Sequence, residues 1–361
     1  MISTLRKLLP APAKRAARRV FDAADVALVQ LFSVNRLMAN IYYFALSRRF
    51  DREHFAVMRG RRAYHRSLRI MKNTSPLLRR NIHRLEKGLI MRPRRHVFAE
   101  SYILETVRCY NRANNVPGYC RHELRWAHDV LEEYFNLIKD TPIIFRARSE
   151  YLEAGQYSAQ LGGLGEGSFK PYHLQDCPDN EVSFEELTTL FLRRRSVRWY
   201  KQQHVPLSLI QKTVNAAALA PSACNRQPYR FVIVNDPDWA QKVAECAGGT
   251  AGYAYQLPAV IIVIGDLSAY PKERDRHLIY IDAALASMQL MLAAETLGLS
   301  TCPINWPDVE RSERKLEALI ELPDYERVIM LISIGYGDPE RLVPFSQKKR
   351  DALITEVLSV E

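Results

Sequence analysis

The chain has 361 residues, 47% of them apolar, and a formal charge of +11. That length favours two domains with sizeable cores. Six cysteines, at 109, 120, 177, 224, 246 and 302, form no C-x-x-C and have no histidine at ligand spacing. No metal site is therefore expected, and free thiols in a reducing cytoplasm are. Residues 1–100 hold 23 Lys and Arg against 6 Asp and Glu, whereas residues 151–361 hold 21 against 27. The basic character thus belongs to the N-terminal region, where it suits an anionic membrane surface; nucleic acid is not expected as a partner.

Residues 1–19 are basic, and the apolar stretch after them is broken by Asp22, Asp25, Gln30, Asn35 and Arg36. This fits neither a signal peptide nor a bilayer span. From Leu5 to Phe50 the pattern predicts helices with one basic and one apolar face, able to lie on an anionic membrane or to pack on a neighbouring domain. The expected location is cytoplasmic, peripheral on the inner face of the membrane. Helical spacing continues to about residue 160, in Leu28, Leu31 and Phe32 and again in Val130, Leu131, Tyr134, Phe135 and Ile138. Breaks are expected at Ser75-Pro76, Pro93, Val116-Pro117-Gly118 and Thr141-Pro142. His83, Glu86 and Lys87 share about one helical turn, as a substrate-facing cluster or as a solvated face with i,i+4 charges. Residues 161–182 contain Gly162-Gly163-Leu164-Gly165-Glu166-Gly167, Pro171 and Pro178. No strand leads into these glycines and no helix clearly follows, so they read as a linker, not a phosphate cradle. The organisation expected is a basic helical extension over 1–160, a linker over 161–182 and a second domain over 183–361.

Ser183, with Glu185 and Glu186 behind it, predicts a capped helix through Arg193. Ser208 is expected to cap the next helix, which runs to Leu219. A strand follows at 231–234, a helix at 236–246 and a continuous apolar, β-branched strand at 259–265. A long helix spans 278–297 and ends at Gly298; a last buried strand spans 327–335. Interleaved helices and strands predict an α+β sandwich around a central sheet, without the regular βαβ repeat or the G-x-G-x-x-G of a Rossmann domain.

Two polar clusters stand out. Arg194-Arg195-Ser196-Val197-Arg198 offers guanidinium and hydroxyl donors to anionic oxygens. Pro221-Ser222-Ala223-Cys224-Asn225-Arg226-Gln227-Pro228-Tyr229 places amides that both donate and accept just before a strand, as reading a heterocycle edge requires. Together they fit a phosphorylated, ring-bearing cofactor better than a metal or a nucleophilic triad. Two further segments follow in order: Gly298-Leu299-Ser300-Thr301-Cys302-Pro303-Ile304-Asn305-Trp306, then Ile334-Gly335-Tyr336-Gly337 with Lys348-Lys349-Arg350. In this order the four segments resemble the FMN-dependent nitroreductase superfamily over roughly residues 187–355.

The resemblance implies a nitroreductase-like sandwich, with a central, mostly antiparallel sheet flanked by helices. It implies FMN, with NADH or NADPH as electron donor. Arg194, Arg195, Arg198, Lys348 and Arg350 would hold the phosphate, with Lys349 the neighbouring alternative. Ser196, Pro221, Ser222, Asn225 and Gln227 would meet the ribityl and ring edges. Pro303, Ile304, Asn305 and Trp306 would face the ring, the Asn305 backbone N–H reaching flavin N5 and Trp306 narrowing the substrate face. Hydride would pass to N5 and then to a nitro, quinone or enone acceptor by a ping-pong route, in a homodimer with FMN at the subunit interface. A flavin-dependent oxidase or dehalogenase on the same fold is the alternative within the enzyme class. A non-catalytic flavoprotein scaffold, docked by its basic N-terminal region, is the alternative outside it. Such chemistry obliges no catalytic histidine, so His204 and His277 read as surface or loop residues, and Cys224 and Cys302 as small packing residues. Asn305-Trp306 departs from the acidic residue and glycine frequent there, and little chain follows Arg350 to form the C-terminal arm of many members.

Overall fold

A computed structural model describes residues 10–154 and 168–358; the glycine run at 162–167 lies outside the described residues. The chain divides between Phe55 and Ala56 into two compact units.

In the first unit, α1 (Ala11–Phe32) starts behind Pro10 with a second proline in its first turn, a position that needs no N–H donor. The Asn35 side chain accepts from the Met38 N–H and caps α2 (Arg36–Ile41). A π-helical turn, Tyr42–Ser47, follows. No described residue from 10 to 55 is buried. Large apolar side chains face out instead, Phe21 at 72% and Phe44 at 86% exposure among them.

The helix α3 (Asp51–Ser67) leads into the second unit, where α4 (Pro76–Leu89), α5 (Ile103–Asn114), α6 (Arg121–Leu137) and α7 (Pro142–Ala154) enclose one apolar core. Leu78, Ile82, Leu85, Ile103, Leu131 and Tyr134 are buried in it. Two sequence breaks prove to be helix starts. Ser75 accepts from Leu78 N at 3.3 Å with Pro76 as first residue of α4, and Pro142 opens α7. The polar run at 81–91 is explained by contacts between helices. Asn81 is buried and donates to Glu105 at 3.3 Å, Glu86 accepts from the Trp126 indole at 2.9 Å, and Arg84 lies 3.7 Å over the Tyr102 ring.

Ser183 and Glu186 exchange hydrogen bonds of 3.1 and 2.8 Å at the start of α8 (Phe184–Arg193). The next helix, α9 (Leu207–Ala217), corrects the expected cap: it starts behind Pro206, whose ring fixes the entry angle, and Ser208 sits inside its first turn. Then come β1 (Tyr229–Val234), α10 (Pro237–Ala244), β2 (Ala259–Asp266), α11 (Leu278–Thr296), β3 (Ser300–Asn305), α12 (Glu310–Glu317) and β4 (Glu326–Gly335). The sheet order is β1-β2-β4-β3, antiparallel throughout. Both faces are covered, which is why β2 reads as an unbroken apolar run. Val260, Ile262 and Ile264 meet the core under α10 and α12, whereas Ala259, Ile261 and Val263 meet the core under α9 and α11. The fold is α+β, as expected. The segment 300–305, where the sequence reading expects no strand, is an edge strand. Pro303 is tolerated there because an edge strand has one side free of the ladder.

Candidate active site

The first motif leaves the end of α8 and runs beside β3. Ser196 and Thr301 form a parallel bridge, and Val197 N donates to Thr301 O at 3.0 Å. Tyr200 bridges Gly337 beyond the end of β4, and the Tyr200 hydroxyl lies 2.8 Å from Val197 O and 2.8 Å from Ser333 Oγ. Gly337 has to be small: a Cβ there would sit 2.7 Å from Ser300 Oγ. Gln256, which sequence reasoning missed, fixes the segment from the side. Its Oε1 accepts from Tyr200 N at 2.9 Å and its Nε2 donates to Arg198 O. The first and third motifs and the Gly335–Gly337 end of β4 therefore form one cluster.

Two polar atoms in this cluster are buried without a partner among the described residues, Arg194 Nε and Thr301 Oγ1. A guanidinium N–H and a hydroxyl left unpaired beside Ser196 are suited to receive anionic and polar oxygens of a ligand. Burial pushes the Cys302 thiol up, against the pull of Arg198 and Arg194, so Cys302 behaves as a packing residue. Along β3 the side chains alternate. Ile304 and Trp306 turn into the core under α10 and α12, while Asn305 is exposed. This corrects the placement of the Ile304 side chain toward the ring, and that of Trp306 on the substrate face. At 7% exposure it is a core residue whose indole donates to the buried Glu313 at 2.8 Å, as a buried Trp N–H requires.

The second motif lies elsewhere. It turns into β1, at the opposite edge of the sheet, three strand spacings or about 14 Å from β3. Tyr229 pairs with Gly265, which pairs with Arg327 near the start of β4, whereas Ser300 pairs with Gly335 at its end. The two clusters thus occupy diagonal corners of the sheet. The helix α11 spans the same gap: Asp282 near its start accepts from Ala223 N at 3.0 Å, and Glu295 near its end lies 3.5 Å from Arg193. Thirteen residues of helix separate those contacts, about 20 Å. In a single chain the two motifs do not converge. Lys348 and Arg350 also stand apart, on an exposed segment over 342–358, and no hydrogen bond or ion pair among the described residues joins them to Arg194 or Arg198.

The turn of the second motif is strained and braced. Cys224, Asn225 and Gln227 have φ of 53°, 49° and 49°, in the left-handed region. Gln227 N donates to Ser222 Oγ at 3.0 Å, and Gln227 Nε2 to Ala218 O at 2.7 Å. The main brace is Arg79 on α4, which sequence reasoning also missed. Its Nε donates to Asn225 O at 2.7 Å and its Nη2 to Gln227 Oε1 at 2.9 Å. Its Nη1 lies 3.2 Å from Glu123, a carboxylate 3% exposed. Glu123 also takes hydrogen bonds from Thr74, Ser75 N and Tyr119. The Asn225 side chain makes no hydrogen bond among the described residues and stays open to a ligand.

Burial pushes the Asp282 carboxyl up, against the bonds from Ala223 N–H and Tyr270. A carboxyl raised in the native state adds stability below the ordinary aspartate range, and that stability is lost as pH rises through its folded value. Asp282→Asn should remove this decline while keeping an acceptor for Ala223. Denaturant midpoints of the two proteins across acidic to neutral pH check it; curves that stay parallel would reject the assignment to Asp282.

The nitroreductase family model matches residues 192–252 and 238–336. A protein of Archaeoglobus fulgidus, named as a candidate NADH dehydrogenase/NAD(P)H nitroreductase, is 33% identical over 165 residues, covering 44% of this chain and 88% of its own length. The NADH dehydrogenase of Thermus thermophilus is 29% identical over 194 residues, with 44% and 92% covered. Iodotyrosine deiodinase 1 of Mus musculus is 24% identical over 212 residues, with 50% and 72% covered.

Proposed function

Because this chain belongs to the nitroreductase family, we propose that it is an FMN-dependent oxidoreductase that works as a homodimer. FMN, when bound, would supply the redox chemistry, which is hydride transfer from NADH or NADPH to an organic acceptor of nitro, quinone or enone type in ping-pong fashion. The observation that carries this reading is the diagonal separation of two complementary half-sites. Arg194, Arg195, Ser196 and Arg198 supply the phosphate-type donors at one corner, with Pro303 and Asn305 of β3 beside them. Pro221, Ser222, Asn225 and Gln227 supply the amide donors and acceptors at the other. Two copies related by a twofold axis bring one corner of each together, twice over. Lys348 and Arg350, on the exposed C-terminal segment, are free to reach across to the second copy.

The outer face of α11 supports the dimer. Ile279, Ala283, Ala286 and Leu290 are buried, while Ile281, Leu285 and Met288 on the other side are exposed. A helix apolar all round is one that is covered all round, and it is also the only described helix long and apolar enough to cross a membrane. The relation to a deiodinase adds halogenated phenols to the acceptors worth screening.

The test is a visible spectrum of the purified protein, followed by anaerobic titration with NADPH and NADH. Flavin bands near about 370 and 450 nm that bleach with a nicotinamide are expected. A colourless protein that fails to take up added FMN would refute the reading.

A second reading concerns the first unit. We propose that it holds the protein, on the cytoplasmic side, against the anionic inner face of a membrane. None of that unit's described residues is buried, it exposes Phe21, Val34 and Phe44, and the exposed Arg15 and Arg19 precede Phe21 on the same helix. Deleting residues 1–55 should abolish salt-sensitive sedimentation with anionic vesicles and leave the flavin spectrum unchanged. Sedimentation that persists after the deletion would move the docking surface elsewhere.

A further inference from the structure

A recess of about 660 Å³ opens between α3, the chain leading into α4, and the end of the sheet where β1 begins and β2 ends. Its volume is that of a small-ligand pocket. One wall carries Arg59, Arg62, Arg66 and Lys72, and the other carries Arg230 with Asp266 and Glu326. Five cations therefore face two carboxylates. Glu326 is already taken by Arg230 at 2.6 Å, and Arg59 pairs with Asp324 at 2.9 Å. Among the described residues no carboxylate pairs with Arg62, Arg66 or Lys72. Arg62 and Arg66 lie four apart on one helix, so they repel each other along a shared face. Burial and the neighbouring Glu326 push the Asp266 carboxyl up, which weakens it as a counter-charge. Ser67, Ser268 and Asn73 add polar groups around the rim.

We propose that this recess binds a small soluble ligand bearing a phosphate or diphosphate group. Uncompensated guanidinium groups in a concave, ligand-sized space match the chemistry of phosphate oxygens, which Arg binds through paired N–H donors. A flat basic surface would suit a membrane; a recess closed on two sides suits a compact anion. The site is separate from both flavin half-sites but adjoins one of them. The Asp266 N–H in its wall donates to Pro228 O at 2.8 Å, the residue after Gln227. A ligand seated here would sit next to the braced turn of the second motif.

The experiment is calorimetric titration of the full-length protein, as purified, with inorganic pyrophosphate, at low and at high salt. Saturable, salt-sensitive binding is expected, and it does not depend on turnover or on bound flavin. Arg62→Gln with Arg66→Gln removes two exposed charges and keeps most of each stem; it should weaken binding by about tenfold or more. Lys139→Gln, an exposed cation outside the recess, should leave the affinity unchanged. The proposal is overturned by absence of saturable binding, by equal affinity in the R62Q/R66Q protein, or by binding that appears only with anionic vesicles.

Discussion

Arg79→Ala is expected to lower the unfolding free energy by about 3–5 kcal/mol, the range for breaking a buried ion pair from one side. Glu123 would keep its hydrogen bonds from Thr74, Ser75 and Tyr119 but lose the one cation paired with it among the described residues. The same change frees Asn225 O and Gln227 Oε1, both in a turn with left-handed backbone that costs roughly 1 kcal/mol at each non-glycine residue. Flavin affinity should therefore fall further than stability alone accounts for. Arg79→Lys separates the two effects. It retains the charge opposite Glu123 and loses the planar fork that reaches two acceptors at once. Denaturant unfolding should show the lysine protein near the parent, while FMN titration should show it near the alanine protein. Equal FMN affinity in all three would remove Arg79 from any role at the site.

Ile281→Arg with Leu285→Arg should turn the proposed dimer into a folded monomer that holds no flavin. Both side chains are exposed in the single chain, at 53% and 45%, so the substitutions leave its core intact. Across a twofold contact they would place four charges in an apolar surface, and unpaired buried charge is costly enough to abolish association. Sedimentation velocity reads the mass, and absorbance at the flavin band reads occupancy. A monomer that retains stoichiometric flavin would show that one chain builds the whole site.

Much of the second unit's architecture is legible in the sequence, because its strongest signals are local. The apolar run of β2, the cap at Ser183 and the long apolar helix before Gly298 each follow from neighbours within a few residues. The strand β3 is not legible, because Pro303 argues for a loop unless the edge position is known. The placing of Trp306 fails for a related reason: strand alternation decides which way it points, and no strand was expected there. The brace from Arg79 is invisible for another cause. It acts across 146 residues of sequence, and an arginine on a helix reads by default as a surface charge. The breaks read at Pro76 and Pro142 do fall at element boundaries, and the structure adds that each proline opens the helix that follows.

The length of α11 has a consequence for how two flavins would load. Each copy of this rigid rod touches the amide-bearing turn at its start and the arginine-bearing segment at its end. In the proposed twofold assembly those ends would serve different pockets, so a shift in one pocket would be felt in the other. In that proposed assembly, occupancy of the first would change the affinity of the second, and by linkage the reverse would hold by the same factor. The natural observable is the shape of the FMN binding isotherm: the two sites titrate as a correlated pair.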